Sequence, residues 1–219
     1  MALALDGSAS ATNLNTTSGT VTLSTTQAND IIYVCVNVNN GTNVVSTVTD
    51  TAGLTYTRRT RIDTDFDQDT WYAVAPNALS SDTITVTNTA ASPRWAICAF
   101  GISGASTSSP FDPNSSIPQE QQTTAPTQPS ITYSTTDAND FIIGFVASGN
   151  GVTYTVNSGF TAIANINLML VEYQVVSGTV TNATLTANDS ASTQSVGLTV
   201  DAVVPSSAAP PTIKMILHG

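Results

Sequence analysis

The chain writes one phrase twice: STTQANDII occupies positions 24–32 and STTDANDFI positions 134–142. Asp30 and Asp140 stand 110 positions apart, and the likeness continues beyond the phrase. After AND come IIYVCVNV and FIIGFVAS, short runs apolar on both faces, which predicts central strands. VTDTAGLTYTRR then parallels YTVNSGFTAIAN, with Gly53 and Gly159 each placed to supply the positive φ of a turn or bulge. WYAVA matches EYQVV, DTITVTN matches NATLTAN, and WAICAFGI matches VGLTVDAV, the last now 101 positions apart. The spacing drifts because loops differ, chiefly around RIDTDFDQD in the first unit.

A chain built of two such halves must fold twice in a similar way. Each half reads as six short strands parted by turn residues, which predicts an all-β protein of two tandem sandwiches, jelly-roll or immunoglobulin-like. The expected division is an N-terminal segment (1–19), a first sandwich (20–104), a linker rich in Pro, Ser and Gln (105–129), a second sandwich (130–204) and a C-terminal tail (205–219). The linker is expected to pack along the surface. STTxAND falls between the first two predicted strands of each half, where Asn-Asp is turn chemistry, because Asx side chains cap their own backbone and tolerate left-handed conformations.

Composition supports strands over helices. Only 9% of the 219 residues are charged, against roughly a quarter in ordinary soluble proteins. The polar share is carried by Thr, Ser and Asn, which suit pleated, half-solvated faces better than helix surfaces. The net charge of −10, with Lys214 the one lysine, excludes a phosphate-backbone binder. The start, MALALDGSAS, lacks the basic and apolar regions of a secretory signal, and no run approaches the roughly 20 apolar residues of a membrane span. A surface poor in lysine and rich in Thr and Asn suits extracellular work. A virion protein released by lysis needs no signal, so a virion or extracellular location is expected.

Candidate chemistry is sparse. In DTDFDQD, Asp63, Asp65, Asp67 and Asp69 recur at every second residue. If extended, they would share one face and either bind a hard cation, calcium being the natural one, or form a solvated acidic loop. The second reading is preferred, because the glycine and closing glutamate of a calcium loop are missing. Arg58, Arg59 and Arg61 precede the loop and are expected to pair with its aspartates. Cys35 and Cys98 lie in strands of the first half, where a bridge between sheets is conceivable, although two buried free thiols fit a reducing site of synthesis better. Trp71, Tyr72 and Trp95 are the aromatic candidates for a glycan site, with a core role preferred for both tryptophans. The one histidine, His218, and the two glutamates, Glu120 and Glu172, are poorly placed for nucleophilic or glycosidic catalysis, and no enzyme is expected.

The last fifteen residues differ from the rest. Prolines 205, 210 and 211 halt the second unit, and Ile213, Met215, Ile216 and Leu217 then form an apolar segment. Such a segment behind a stiff spacer suits docking onto another subunit by strand addition, or folding back over an edge of its own sheet.

LDGSASA, TLSTTQANDII, VTDTAGLTYTRR, WYAVAPNALSSDTITVT and ISGASTSSPFD together resemble a loosely defined group of uncharacterised β-rich proteins of tailed phages and environmental viral sequences. The likeness spans residues 4–204 and its motifs are structural, so it carries no catalytic residue. What it implies is a virion surface component, a capsid decoration or fibre protein. The expected partners are copies of itself or other virion subunits. The alternatives are a carbohydrate-binding or adhesive module recognising host-surface glycans, and a subunit of a cellular extracellular filament.

Overall fold

The computed structural model describes residues 2–39, 44–92, 94–124, 127–149, 152, 154–189 and 195–207. The described residues are all-β, with every strand pair antiparallel. The first half contains β1 (Ala4–Leu14), β2 (Ser18–Leu23), β3 (Asp30–Val38), β4 (Val45–Asp50), β5 (Thr57–Asp63), β6 (Asp67–Ala75), β7 (Asp82–Asn88) and β8 (Trp95–Ser103). The second contains β9 (Gln119–Thr123), β10 (Ser130–Tyr133), β11 (Phe141–Ser148), β12 (Tyr154–Thr155), β13 (Thr161–Ile166), β14 (Met169–Val175), β15 (Ala183–Thr186), β16 (Asn188–Asp189) and β17 (Val196–Val203).

A five-stranded sheet, β1-β8-β3-β6-β5, is covered by a three-stranded one, β2-β7-β4. The second half repeats this order as β9-β17-β11-β14-β13, covered by the pairs β10-β15 and β12-β16. The first half therefore has eight strands and the second nine, rather than the six expected of each, and β1 and β9 come from stretches read as a terminal segment and a linker. Neither announces itself in sequence. β9 is QEQQT, without one apolar residue, and is a strand only because its backbone pairs with the edge of β17 from Thr123↔Val196 to Gln119↔Val200. The repeated STTxAND phrase accordingly links the second and third strands of each half.

The halves are not beads on a string. Their two large sheets pack face to face through a shared core that includes Tyr33, Cys35, Phe66 and Phe100 from one side and Phe141, Phe145, Met169 and Val171 from the other. A second core lies under β2-β7-β4, built on Val34, Trp71, Ile84 and Trp95. A third lies under the short pairs of the second half, around Ile131, Tyr133, Leu170 and Leu198. The result is four layers of sheet with three cores. This explains why β3, β8, β11 and β17 are buried at every position and apolar on both faces. The covering strands alternate instead: β2 buries Val21 and Leu23 and turns Thr20 and Thr22 outward against Thr85 and Thr83 of β7. Threonine's abundance is the outer face of this layer, where a β-branched side chain with a hydroxyl packs and remains wet.

Polar pins cross the shared core. Tyr33 donates its hydroxyl to Asp201 at 2.9 Å, and Arg59 reaches the same carboxylate with Nε and Nη2, both at 3.0 Å. Gln68 donates to the Phe145 carbonyl and the Thr199 hydroxyl, each at 3.0 Å, passing over Gly197, where a side chain would collide with the Gln68 carboxamide. Asn37 donates to the carbonyls of Ser148 and Leu168 at 3.0 and 2.9 Å. These bonds satisfy groups that would otherwise be buried at a cost, and they fix one sheet against the other.

Candidate interaction site

The site is built from the repeated turns. In the first half the Thr25 N–H donates to Leu79 O at 3.0 Å, its hydroxyl accepts from the Leu79 N–H at 2.9 Å, and Ser24 Oγ accepts from the Ser81 N–H at 2.9 Å. In the second, Thr135 makes the same two bonds with Val180, and Ser134 Oγ accepts from Asn182. An aspartate then cages the next residues. Asp6 accepts from the N–H groups of Thr26 and Gln27, both at 2.8 Å, as Asp112 does from those of Thr136 and Asp137. Asn29 and Asn139 hold φ of 65° and 68°, the left-handed conformation that asparagine tolerates. The serine, both threonines and the asparagine of the phrase thus have matching structural tasks in the two halves. The two expected glycine turns are also present, with φ of 78° at Gly53 and 83° at Gly159.

The closing aspartate is the exception to ordinary turn chemistry. Asp30 and Asp140 are fully buried. Burial, then the hydrogen bond and negative charge of Asp6, push Asp30 up to about 7, opposed by the Thr25 hydroxyl. Burial and the charge of Asp112 do the same to Asp140, also to about 7. Burial raises Asp6 as well, but the Thr26 and Gln27 donors outweigh it and hold its carboxyl below the ordinary value. Two carboxyl groups facing one another favour holding one proton between them.

The acidic hairpin does not form the four-carboxylate face. The chain turns back at residues 64–66, so Asp63 ends β5 opposite Asp67, the first residue of β6. Asp65 is exposed at the turn and accepts from Gln122 Nε2 at 3.2 Å and from the Ser195 hydroxyl. Asp67 and Asp69 are fully buried and committed to arginine. Arg61 Nε lies 3.0 Å from an oxygen of each, and Arg58 lies 3.5 Å from Asp69. Burial still pushes Asp69 up to about 7, helped by the charge of Asp67 and opposed by Arg61 and Arg58. Among the described residues no three Asp, Glu, His or Cys side chains converge as metal ligands.

Trp71 is 8% exposed with the Arg58 guanidinium 5.0 Å from its ring centre, and Trp95 is fully buried. Tyr72 packs edge-on against Phe111 at 4.7 Å. Both tryptophans pack in the core, and Tyr72 is half-buried. Cys35 and Cys98 face each other on neighbouring strands of one sheet rather than bridging two sheets, and both are free and buried. Sequence reasoning missed the pins at Tyr33, Asn37, Gln68 and Asp201. A polar residue in a mostly apolar strand was the available signal for Tyr33, Asn37 and Asp201, whereas Gln68 stands among other polar residues at the start of β6 and carried none.

An open surface feature lies at the end of the stack where the repeated turns sit. Pro205 bridges to Ala105, and the Ser206 N–H donates to Gly104 O at 2.8 Å, so the chain leaving β17 is sewn to the chain leaving β8. On one side is a polar recess of about 430 Å³ lined by Asn29, Ser106, Thr107 and Ser207. On the other is a more apolar groove of about 470 Å³ lined by Leu3, Asn139, Val175, Val176, Ser177 and Pro205. Val175, 43% exposed, is the one large apolar side chain left open among the described residues. The tail residues Ile213, Met215, Ile216 and Leu217 lie outside the described residues. No protein-family model matches this sequence, and no curated protein or solved structure is significantly similar to it.

Proposed function

We propose that this chain is a non-enzymatic structural protein of an extracellular assembly, a virion surface component of the capsid-decoration or fibre kind. Each half is read as a jelly-roll sandwich. The supporting observation is the strand order: β1-β8-β3-β6 opposite β2-β7-β4 follows the order of an eight-stranded jelly roll, an architecture common in capsid proteins, with β5 moved beside β6. The second half has the same order. Two such sandwiches fused through polar pins make a stiff four-layer block, suited to bearing load. The acidic exterior keeps free subunits apart and soluble, while assembly uses the apolar tail and open sheet edges. Asp67 and Asp69 are held in ion pairs with Arg58 and Arg61, and Trp71 and Trp95 are packed in the core.

Sedimentation velocity tests the reading, with the full chain compared to one ending at Ser207 across a concentration series. Discrete oligomers or filaments from the full chain, and monomers from the shortened one, support assembly through the tail. Monomers from both overturn self-assembly through the tail and favour a decoration protein that needs a pre-formed surface, or a glycan-binding module.

A further inference from the structure

The groove beside Val175 has a chemistry that names its occupant. Its walls include Leu3, Val175, Val176 and Pro205, and its volume of about 470 Å³ lies within the roughly 300–1,000 Å³ of sites that enclose small ligands or a few side chains. The exposed Asp137 lies two residues before Asn139, which lines the rim. The matching sequence is in this same chain. IKMIL, residues 213–217, offers four apolar side chains and Lys214, the one lysine of a chain with a net charge of −10.

The spacer decides between the chain's own groove and another's. Pro205 and Ser206 are part of the groove wall, so only residues 207–212 separate that wall from Ile213. Two of these are Pro210 and Pro211, whose rings fix φ and which bias Ala209 to extended backbone. With φ fixed at two of the six spacer positions, a reversal into the same groove would have to be made within the three residues before the prolines, whereas the groove of a second copy requires no reversal.

We propose that the Val175 groove is the receptor for residues 213–217 of a second copy of the chain, joining copies head to tail. This rests on the assembly reading above and gives it an interface. Such a contact uses different patches on its two sides, so repetition closes a ring or extends a fibre.

Complementation between two full-length variants tests it by sedimentation velocity. Val175→Asp puts a charge in the groove, and Ile216→Asp with Leu217→Asp does so in the tail. Each variant alone should remain monomeric at concentrations where the wild type oligomerises. Their equimolar mixture should form one-to-one dimers and nothing larger, since only one intact groove then meets one intact tail. Ser177→Arg, at an exposed position on the rim, should repeat the Val175 result, and circular dichroism matching the wild type guards against misfolding. Val175→Asp and Ser177→Arg chains that oligomerise like the wild type, or a mixture without dimers, overturn the groove while leaving assembly through the tail intact. A wild type that stays monomeric throughout overturns both.

Discussion

Arg59 and Asp201 form a two-pronged ion pair across the central core, both bonds at 3.0 Å, although 142 positions separate them in sequence. Asp201 is fully buried and also accepts the Tyr33 hydroxyl, and the guanidinium lies 3.9 Å from the centre of the Phe111 ring. Removing one partner of such a pair strands the other's charge in the core, at a cost of about 3 kcal/mol or more. Arg59→Met is therefore expected to lose about that much stability in guanidinium unfolding. Tyr33→Phe should lose about 1 kcal/mol, since it removes one hydrogen bond and leaves the ion pair. A loss below 1 kcal/mol for Arg59→Met would mean that solvent already screens the pair.

The carboxyl pairs at the repeated turns predict a fold that prefers mild acid. Asp30 and Asp140 have folded-state values of about 7, above the ordinary 3.8. Between roughly pH 4 and 7 the native state therefore holds protons that the unfolded chain has released, and stability falls as pH rises through that window. Asp69, also pushed up to about 7, acts in the same direction. Asp6, held below its ordinary value, acts oppositely and only at lower pH. The melting temperature should drop from pH 5 to pH 8, and Asp30→Asn with Asp140→Asn should flatten that drop and melt higher than wild type at pH 8. A wild-type profile flat between pH 5 and 8 would refute the proton-sharing pairs.

Asn29 and Asn139 make a paired prediction, because left-handed backbone costs ordinary residues roughly 1–2 kcal/mol. Asn29→Gly should be nearly neutral, since glycine accepts a φ of 65° freely, whereas Asn29→Val should lose at least about 1 kcal/mol. The same contrast should hold at Asn139, whose φ is 68°. Thermal melts of the four variants read both positions.

Cys35 and Cys98 should be silent in the folded protein. Both are fully buried, and burial pushes the Cys98 thiol up to about 12 and, with the charges of Cys98 and Asp201 adding, raises Cys35 well above its ordinary value. A thiol reagent should titrate neither until denaturant unfolds the chain, when two equivalents appear together. Early reaction of one thiol would show that the central core opens on its own.

Gly197 lies directly against Gln68 and Phe66 of the facing half, with no room for a side chain. Gly197→Ala would press on the Gln68 carboxamide and break its bonds to Phe145 and Thr199. A loss of about 1–3 kcal/mol is expected, the usual cost of overpacking a filled core. Unchanged unfolding would show that Gln68 can yield without loss.

The sequence by itself determined the strand type, the doubling and the local turns. Short apolar runs such as IIYVCVNV, bounded by turn residues and rich in β-branched side chains, read as strands buried on both faces, and the asparagine of AND is left-handed in both halves. These are local rules of periodicity and backbone sterics, readable over a few residues. Tertiary structure alone decided the rest. QEQQT becomes a strand because β17 offers it an edge, and the large sheets meet face to face because each had a second apolar face to bury. The alternating aspartates became buried partners of Arg58 and Arg61 because a hairpin turn separated Asp63 and Asp65 from Asp67 and Asp69. Pairings over separations of more than seventy residues, such as Gln68 with Phe145 or Arg59 with Asp201, depend on how whole sheets dock, and no short window of sequence encodes that geometry.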